Sequence, residues 1–495
     1  MKKNNLHYLI WGFVVFSLMG CANKKHKEET YAGSNDIEKT ERPNIIFFLS
    51  DDQDVYDLGC YGNEKVKTPA VDRLAKEGML FKNAFTGQAI CAPSRSQLLT
   101  GKYPLKNGCF ANHTSVKPDI ESVTQRMHKL GYEVVLAGKS HVNPANVFNW
   151  DHEWHGVEKA EGPRPYIPID SIEHYFKKAK KPFVMLIASY YPHSEYFNVE
   201  NPKAEDIKLQ PFNMDQKNNK GFIKSRAGHY RSIEEDNRQL YAVLKLVDTY
   251  LDEKNTLFIY SADHGLSGKF GVNDVSLKVP FVVRWPHVIK AGSTSNQLIH
   301  YTDVLPTFMD IAGGKVTPDM DGKSFLPLLK GEDIEINKYV YGVRTNQNIL
   351  KSEIFPSRMI RDKRYKYIRN FNSLEVVEQN LTGKPNVDYF IKRGADAFKE
   401  EPFEELYDLE QDPFEQNNLI KNTAYTDIKE RLMKDMFFWM KGQGDFLNDE
   451  IGNMPIITPP GNRGFKLDQD TRKRKIADSL KNTLHKGDYL VIEHW

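Results

Sequence analysis

The sequence predicts an α/β fold: a large, mostly parallel sheet sandwiched by helices, followed by a smaller C-terminal α+β domain. Short continuous apolar runs alternate with segments of helical spacing as far as Gly314, as expected of strands buried on both faces of a parallel sheet. Beyond Gly314 several short strands precede one helix. The length of 495 residues also exceeds what one hydrophobic core usually organises, which favours a large domain with a smaller partner.

The predicted elements of the large domain begin with a buried strand over Pro43–Leu49 that stops at two aspartates. Thr68 and Pro69 open a helix, because threonine suits the N-cap and proline the first helical position. The remaining predicted strands are Tyr132–Leu136, Pro182–Ser189, Thr256–Tyr260 and Val279–Trp285, and the remaining helices are Ile120–Leu130 and Glu234–Leu251. In the smaller domain we expect strands over Lys338–Val343, Arg358–Tyr367 and Glu405–Leu409 and a helix over Tyr425–Lys441.

Composition narrows the class of protein. Hydrophobic residues make up 40% of the chain and aromatic residues 12%, which excludes a disordered chain. The 68 basic and 66 acidic residues give a net charge of +2, so there is no global electrostatic case for nucleic acid. Four cysteines in so long a chain exclude a disulfide scaffold. Cys60 and Cys109 are either two free thiols or, if their loops are neighbours, a disulfide.

The N-terminus has the pattern of an export signal. Lys2 and Lys3 precede a short apolar run over Leu9–Leu18, which is shorter than the ~20 residues of a membrane span. The ending Leu18–Cys21 resembles a bacterial lipobox, which implies cleavage before Cys21, lipid on its thiol, and an exported periplasmic or cell-surface lipoprotein anchored to the membrane. An ordinary signal peptide with a chance cysteine is the alternative. The predicted segments are a signal peptide over 1–20, a tether over 21–42, the α/β domain over 43–335, the α+β domain over 336–455 and an extension over 456–495.

Polar side chains follow four of the predicted strands at the point where each strand ends. They are Asp51 and Asp52, Lys139 and His141, His193, and Asp263 and His264. Each pattern alone is ordinary, since an aspartate pair after a strand is more often a turn or a helix cap than a ligand set. Because ligands of parallel α/β sheets bind beyond the carboxyl ends of the strands, we expect the four to converge on one site.

The strongest motif is Cys91–Arg95, which reads Cys-Ala-Pro-Ser-Arg and continues to Gly101. Pro93 suits the first turn of a helix, so Cys91 is expected at a helix N-terminus, where free N–H groups and the helix dipole favour an anion. Arg95 adds positive charge nearby. A catalytic thiolate of lowered pKa and a buried structural cysteine are both compatible with these residues.

The motif resembles the Cys-x-Pro-Ser-Arg signature of the sulfatase family, whose fold is alkaline-phosphatase-like, and the resemblance covers roughly residues 42–430. It implies that a sulfatase-maturating enzyme oxidises Cys91 to formylglycine and that a divalent cation, Ca²⁺ in the family, lies beside it. The implied metal ligands are Asp51, Asp52, Cys91, Asp263 and His264. Many sulfatases have asparagine at the position of His264, and in having histidine there this chain resembles the iduronate-sulfatase branch. The implied catalytic residues are Cys91, Arg95, Lys139, His141, His193 and Lys269. Lys278 is an alternative to Lys269 that we interpret as structural.

The resemblance also implies roles for these residues. A hydroxyl of the hydrated aldehyde attacks sulfur, while the metal, Lys139 and Lys269 stabilise the sulfuryl oxygens. Arg95 holds the nucleophile and its ligands. His193 is the expected general acid for the leaving group, and His141 is the expected base that lets sulfate depart. On the sequence alone the two histidines can be exchanged in these roles.

The expected substrate is a sulfated oligosaccharide, similar to a glycosaminoglycan and attacked from its end. The segments Gly138–Asp151 and Phe355–Phe371 resemble the heparan N-sulfatase branch, which makes N-sulfated glucosamine an alternative to an O-sulfate. The basic residues of Arg358–Arg369 either bind an acidic saccharide or belong to a half-exposed strand. The competing functions are phosphomonoester or phosphonate ester hydrolysis on the same scaffold, and a lipoprotein that binds sulfated glycan without cleaving it.

Overall fold

Nine of the described strands form one sheet, and its central strands are parallel. The strands are β1 (Asn44–Ser50), β2 (Met79–Phe85), β3 (Glu133–Gly138), β4 (His152–Trp154), β5 (Phe183–Ala188), β6 (Thr256–Ala262), β7 (Lys278–Arg284), β8 (Ser293–Ser295) and β9 (Ile299–His300). Their order is β4-β3-β5-β1-β6-β7-β2-β8, with β9 beside β2. Strands β3, β5, β1 and β6 are consecutive and parallel, whereas β7 runs antiparallel to both neighbours. The prediction of a large, mostly parallel sheet is confirmed.

The structure, a computed structural model, describes residues 42–348, 351–371, 400–445, 447, 456–458 and 489–491. The described residues all belong to one compact unit. The predicted signal peptide, Cys21, and nearly all of the tether and of the C-terminal extension lie outside the described residues. Among the helices that are described, none combines the length and the apolar character needed to cross a membrane.

Helices cover both faces of the large sheet because alternate residues of its strands point to opposite sides. The helices are α1 (Pro69–Glu77), α2 (Cys91–Thr100), α3 (Pro104–Asn107), α4 (Val123–Lys129), α5 (Ile169–Lys178), α6 (Lys220–Tyr250), α7 (Asp274–Leu277), α8 (Val304–Ile311), α9 (Leu326–Leu329) and α10 (Thr426–Gly442). In β1, Ile45 and Phe47 join one core with α2, α4 and α8. Ile46 and Phe48 join a second core with α1, α5 and α6.

Helix α6 begins at Lys220 and not at Glu234 as predicted. Asn219 caps it, since its side chain accepts a hydrogen bond from a backbone N–H of the first turn. Buried polar side chains, among them Arg226 and His229, interrupt the apolar stripe of the first half. This part of the helix therefore lacks the periodic apolar signal on which the prediction rested.

A second, antiparallel sheet follows, with strands β10 (Val340–Asn348), β11 (Lys351–Arg361), β12 (Tyr365–Asn370) and β13 (Glu404–Asp408) in that order. Helix α10 packs against it, as predicted. The segment Arg358–Tyr367, predicted as one strand, holds the end of β11, a turn and the start of β12. Asp362 closes that turn because its Oδ1 accepts hydrogen bonds from the N–H groups of Arg364 and Tyr365. Two further strands, β14 (Ile456–Thr458) and β15 (Tyr489–Val491), pair with each other.

A buried ionic cluster joins α7 to the second sheet. Asp274 pairs with Arg361 of β11 and with Lys366 of β12, and the Lys366 ammonium lies 2.8 Å from a carboxylate oxygen of Glu415. Burial alone would raise the pKa of Asp274, but Arg361 and Lys366 hold it below its usual value. Arg358 of the basic segment Arg358–Arg369 is likewise buried and paired, with Asp445. These three buried cations therefore favour the structural interpretation of the segment.

Cys60 and Cys109 do not form a disulfide, and both thiols are free. Cys60 packs against the core that contains α1 and α6, whereas Cys109 belongs to the core that contains α2 and α4. The two cysteines thus lie on opposite faces of the large sheet. Of the two alternatives, the one with two free thiols holds, because the chain passes from one face to the other between the two cysteines.

Candidate active site

The carboxyl ends of β3, β5, β1 and β6 meet at one edge of the large sheet, and the polar residues predicted after them lie together. Ser50 pairs with Ala262 in the register of β1 and β6, so the segments after these strands leave side by side. The ladder continues beyond the strands, since the Asp263 N–H donates to the Ser50 carbonyl at 3.0 Å and the Lys139 N–H to the Ala188 carbonyl at 2.8 Å. The structure therefore brings the four strand ends to one place, as expected.

Gly138 allows β3 to approach β5 closely enough to deliver Lys139. Its φ is +112°, and a Cβ at this position would lie 2.0 Å from the carbonyl oxygen of Ala188. Only glycine is compatible with that approach. Asp52 and His141 also have left-handed backbone conformations, with φ of 63° and 57°. Strained backbone of this kind is found most often at functional positions.

Helix α2 begins at Cys91, and every residue of the helix is buried. The Cys91 side chain reaches the strand ends: its Sγ lies 3.4 Å from Nε2 of His264 and 3.9 Å from Nζ of Lys269. Ser94 fixes the helix to the sheet, because its hydroxyl donates to the Asp263 carbonyl at 2.5 Å. The predicted location of Cys91, at a helix N-terminus, is confirmed.

The side chains predicted as metal ligands surround the Cys91 thiol. Ligand atoms of Asp52, Cys91 and His264 lie within 4.8 Å of one another, and so do those of Asp51, Cys91 and Asp263. Nε2 of His264 is 3.2 Å from Oδ1 of Asp52 and 3.8 Å from Oδ1 of Asp263. Three buried carboxylates and one imidazole are a donor set that fits a divalent cation, and the majority of oxygen donors suits a hard ion such as Ca²⁺.

Two cations compensate two of these carboxylates. Arg95 is 1% exposed, with Nη2 3.2 Å from Oδ1 of Asp51 and Nε 3.2 Å from Oδ2 of Asp263. Its Nη1 donates to the Lys139 carbonyl at 3.1 Å, which ties α2 to the segment after β3. The Lys139 ammonium pairs with the other oxygen of Asp51. Arg95 therefore positions three of the four strand ends at once.

Lys269, in the loop after β6, supplies the third cation. Its Nζ lies 2.8 Å from Oδ2 and 2.9 Å from Oδ1 of Asp52. Lys278 instead begins β7 beside Asp274, where burial lowers its pKa. The structure thus brings Lys269, and not Lys278, to the predicted site.

The electrostatics favour negative charge at position 91. Burial alone would raise the pKa of the Cys91 thiol, but Lys139 and Lys269 lower it to about 6. Burial also opposes ionisation of Asp51, yet Lys139 and Arg95 hold its pKa well below the usual value. At Asp263 burial prevails and raises the pKa to about 7, although His264 offsets part of the effect. The positive side chains around Asp263 are thus not enough to keep its pKa at the usual value. A buried carboxyl of this kind is consistent with a site for one more cation.

Of the two residues predicted to transfer protons, His193 contacts this cluster. Burial lowers the pKa of His141, which lies near enough to the cluster for Lys139 and Arg95 to lower it further. Nε2 of His193 lies 3.7 Å from Oδ2 of Asp52, and its Nδ1 donates to the Ser194 carbonyl at 2.5 Å. Nε2 of His141 lies 2.9 Å from Nδ1 of a second histidine, His113. His113 and its neighbour Asn112 follow no predicted strand and belong to no motif, so the sequence pattern does not identify them.

The chain has clear relatives. A family model described as Sulfatase matches residues 43–314, and one described as N-sulphoglucosamine sulphohydrolase, C-terminal, matches residues 262–385. The chain is 69% identical over 499 residues to an ulvan-active sulfatase of Formosa agariphila, and the match covers 100% of both chains. It is 24% identical to an N-acetylglucosamine-6-O-sulfatase of Bacteroides thetaiotaomicron, over 88% of this chain and 90% of the relative.

Solved structures at about 20% identity share the fold, which is all that such similarity shows. A protein in complex with its substrate, D-glucosamine-2-N,6-O-disulfate, has a TM-score of 0.65 at 20% identity, over 83% of this chain and 100% of that one. A phosphonate monoester hydrolase of Agrobacterium radiobacter has a TM-score of 0.63 at 19% identity, over 81% and 96%. These structures include both a protein that binds a sulfated sugar and a phosphonate ester hydrolase, so the fold alone does not identify the reaction. The family match and the full-length relative do identify it. The chain belongs to the sulfatase family and is a sulfuric ester hydrolase.

Proposed function

We propose that this sulfatase removes sulfate groups from ulvan and from oligosaccharides derived from it. The observation that carries the proposal is the full-length similarity, at 69% identity, to an ulvan-active sulfatase. A glycosaminoglycan, with an O-sulfate or an N-sulfate, is the second candidate, because the model for the C-terminal part of N-sulphoglucosamine sulphohydrolase matches residues 262–385. Attack from the end of the saccharide chain stays a prediction.

Position 91 is proposed to carry the nucleophile after a sulfatase-maturating enzyme has converted Cys91 to formylglycine. The support is its surroundings: the side chain is 2% exposed, begins α2 and lies 3.9 Å from the Lys269 ammonium. The helix N-terminus and the neighbouring cations favour an anionic oxygen here as they favour a thiolate.

Asp51, Asp52, Asp263 and His264 are the residues that would hold the divalent cation, with Ca²⁺ as its proposed identity and position 91 completing the set. When both groups are present, the hydrated aldehyde offers an oxygen nucleophile and the cation withdraws charge from the sulfuryl oxygens. The described residues prepare this arrangement. Arg95 contacts both Asp51 and Asp263 and fixes their direction, and with Lys139 it outweighs burial and holds the pKa of Asp51 well below the usual value.

Lys139 and Lys269 are proposed to bind the sulfate group. The two lysines lie in loops that follow two different strands. Their positive charges both act on position 91, because together they outweigh burial and lower the pKa of the Cys91 thiol. Their fixed positive charge stabilises the negative charge that grows on the sulfate as its ester bond breaks, without any rearrangement of solvent. His193 and His141 handle the protons, with His193 expected as the acid and His141 as the base.

Anchoring outside the cytoplasm is a further part of the proposal. The support is the lipobox-like ending Leu18–Cys21, after which the chain would be processed and lipidated at Cys21. Labelling of cells with a fatty acid tests it: the wild-type protein should incorporate label and sediment with membranes. A Cys21→Ser protein should do neither, and a labelled Cys21→Ser protein would contradict the anchor.

The substrate is tested by sulfate release. Matured protein is incubated with ulvan, with ulvan oligosaccharides and with heparan and chondroitin oligosaccharides, and free sulfate is measured by ion chromatography. We expect release from ulvan oligosaccharides and none with Cys91→Ala. Release from glycosaminoglycans alone would overturn the ulvan proposal. Mass spectrometry of the products would show whether terminal residues lose sulfate first.

A further inference from the structure

A line of hydrogen bonds runs from the start of α2 to His141. Asn112, which is 5% exposed, accepts a hydrogen bond from the Ala92 N–H at 3.2 Å through its Oδ1. Its Nδ2 lies 3.2 Å from Nε2 of His113. Nδ1 of His113 in turn lies 2.9 Å from Nε2 of His141. The line thus begins at the backbone next to Cys91 and ends on a histidine of the site.

The chemistry of each group sets the direction of the whole line. A backbone N–H only donates, so the Ala92 contact fixes the oxygen of the Asn112 amide on that side and turns its NH₂ toward His113. His113 must therefore accept at Nε2, which in a neutral imidazole places its proton on Nδ1. That proton is donated to Nε2 of His141. His141 is then left with its own proton on Nδ1.

Both imidazoles are held neutral, which makes their tautomers well defined. Burial, with Lys139 and Arg95 nearby, lowers the pKa of His141 to about 3. Burial and the adjacent His141, with Lys139 beyond it, lower the pKa of His113 to about 4. The ring centroids are 4.7 Å apart, and each residue has a left-handed backbone, with φ of 62° at His113 and 57° at His141.

We propose that Asn112 and His113 are positioning residues that hold His141 in the neutral form with its proton on Nδ1. The inference rests on the proposed function only in assigning His141 to the reaction; the tautomer itself follows from the hydrogen bonds. Nδ1 of His141 is buried and has no hydrogen-bond partner among the residues that the structure describes. In this form the atom is able to donate a hydrogen bond and cannot take up a proton.

The tautomer bears on the two histidines whose roles the sequence leaves interchangeable. With its proton on Nδ1, His141 can donate a hydrogen bond from that atom, and a base at Nδ1 would require the Asn112 amide to turn over. Turning over would place the NH₂ group against the Ala92 N–H, two donors facing each other. The tautomer therefore favours the exchanged assignment of the two histidines, which the sequence also allows, and His141 as the base stays an untested prediction.

Nitrogen NMR of the mature, full-length protein with ¹⁵N-labelled histidine tests the proposal, since protonated and unprotonated ring nitrogens resonate in separate ranges. His113→Gln and His141→Gln proteins assign the two rings. We expect the proton on Nδ1 in both rings near neutral pH. A His141 ring protonated on Nε2 in the wild-type protein would overturn the proposal, even if sulfate release from ulvan is exactly as high as expected.

The Asn112→Asp substitution should reverse the direction of the hydrogen bonds between residue 112, His113 and His141. A carboxylate accepts both from the Ala92 N–H and from His113, so the proton should move to Nε2 in both rings, and kcat on an aryl sulfate should fall at least tenfold with KM within twofold. Asn112→Leu, which removes both bonds without adding charge, is the matched control and should leave the two tautomers mixed. An unchanged His141 tautomer in Asn112→Asp, or a reversed one with unchanged kcat, would overturn the proposal. If Asn112→Asp does not fold, the wild-type spectrum decides alone.

Discussion

The ammonium nitrogen of Lys269 lies 3.9 Å from the Sγ of Cys91, although 178 positions separate the two residues in the chain. The contact exists because the loop after β6, which carries Lys269, and the N-terminus of α2, which carries Cys91, lie at the same edge of the sheet. It places a permanent positive charge beside the side chain at position 91, whose sulfur we expect to be replaced by the oxygen nucleophile, and it is the contact on which our assignment of Lys269 to the reaction rests.

Lys269→Met should lower kcat/KM on an aryl sulfate by about 10²- to 10³-fold. The variant loses a fixed positive charge that would stabilise the negative charge growing on the sulfate in the transition state. The melting temperature should fall as well, because the buried Asp52 carboxylate loses the ammonium that contacts both its oxygens. Lys278→Met is the matched control: it removes a buried lysine beside Asp274, away from position 91, and should leave most of the activity of the folded protein in place. Both quantities are measured on the same preparations. A larger loss of activity in the folded Lys278→Met protein would refute the assignment.

Cys91→Ala should reduce sulfate release at least about 10³-fold, because no nucleophile can form at position 91. Peptide mass spectrometry of the wild-type protein should show the loss of sulfur that accompanies formylglycine. Cys60→Ala serves as the control, since Cys60 lies on the other face of the sheet from the Cys91 helix and its removal should leave the rate within about twofold. Wild-type activity with an unmodified Cys91 peptide would exclude the formylglycine mechanism.

Removal of the divalent cation with a chelator should abolish activity and lower the melting temperature, and Ca²⁺ should restore both. At 100 times its Kd a ligand of the folded state stabilises it by about 2.7 kcal/mol. His264→Asn should still bind Ca²⁺, because an amide oxygen suits a hard ion. Asp263→Ala should bind far more weakly, since it loses a carboxylate of the ligand set. Calorimetric titration measures both, and equal Ca²⁺ affinity of Asp263→Ala and wild type would contradict the proposed ligands.

The protein should lose stability in acid through a histidine outside the active site. His300 is 2% exposed and burial lowers its pKa to about 3, whereas a histidine in an unfolded chain titrates near 6.5. Between these values the unfolded state binds a proton that the folded state does not. The free energy of unfolding contributed by this group is therefore complete above about pH 6.5 and falls below it, by about 1.4 kcal/mol per pH unit.

Urea unfolding of wild type and His300→Gln at several pH values between about 7 and 4 measures this effect. The variant should be less stable at pH 7, where it loses a hydrogen bond to Gln97, yet its stability should fall less steeply as the pH decreases. His174→Gln on the exposed face of α5 is the control and should leave the slope unchanged. Parallel slopes for wild type and His300→Gln would show that His300 is not the group responsible.

Arg361→Met should lower the free energy of unfolding by about 3–5 kcal/mol, because it leaves the buried Asp274 with one partner fewer. Arg364→Met, which removes a partner of Asp408 whose side chain is 41% exposed, should lower the free energy of unfolding less, because solvent screens this pair. Denaturant unfolding compares the two variants. Equal losses in both would mean that the buried cluster contributes no more than a surface ion pair.

The parts of the site that the sequence predicts are those carried by short segments. Asp51, His193 and Asp263 each follow an apolar run, and parallel strands bring such ends to one edge whatever their order in the sheet. Cys91 is recognisable because its helix-starting proline and arginine lie within the same few residues. These signals are local, and the common direction of the strands does the rest.

What the sequence could not predict depends on contacts between distant segments. His113 approaches His141 across 28 positions, and neither residue has a periodic neighbour that would mark the approach. The sequence pattern does not predict the first half of α6, because Arg226 and His229 are buried through polar contacts and interrupt its apolar stripe. The faces on which Cys60 and Cys109 lie follow from how the chain crosses the sheet, which no local pattern records.

The ionic cluster around Asp274 has an evolutionary consequence. Asp274 follows shortly after Lys269, so the loop that carries Lys269 is tied through Arg361 and Lys366 to the C-terminal sheet. A recombination that exchanged this sheet for one without these cations would leave a buried carboxylate unpaired. We therefore expect a functional exchange of the C-terminal sheet to require matching changes at Asp274.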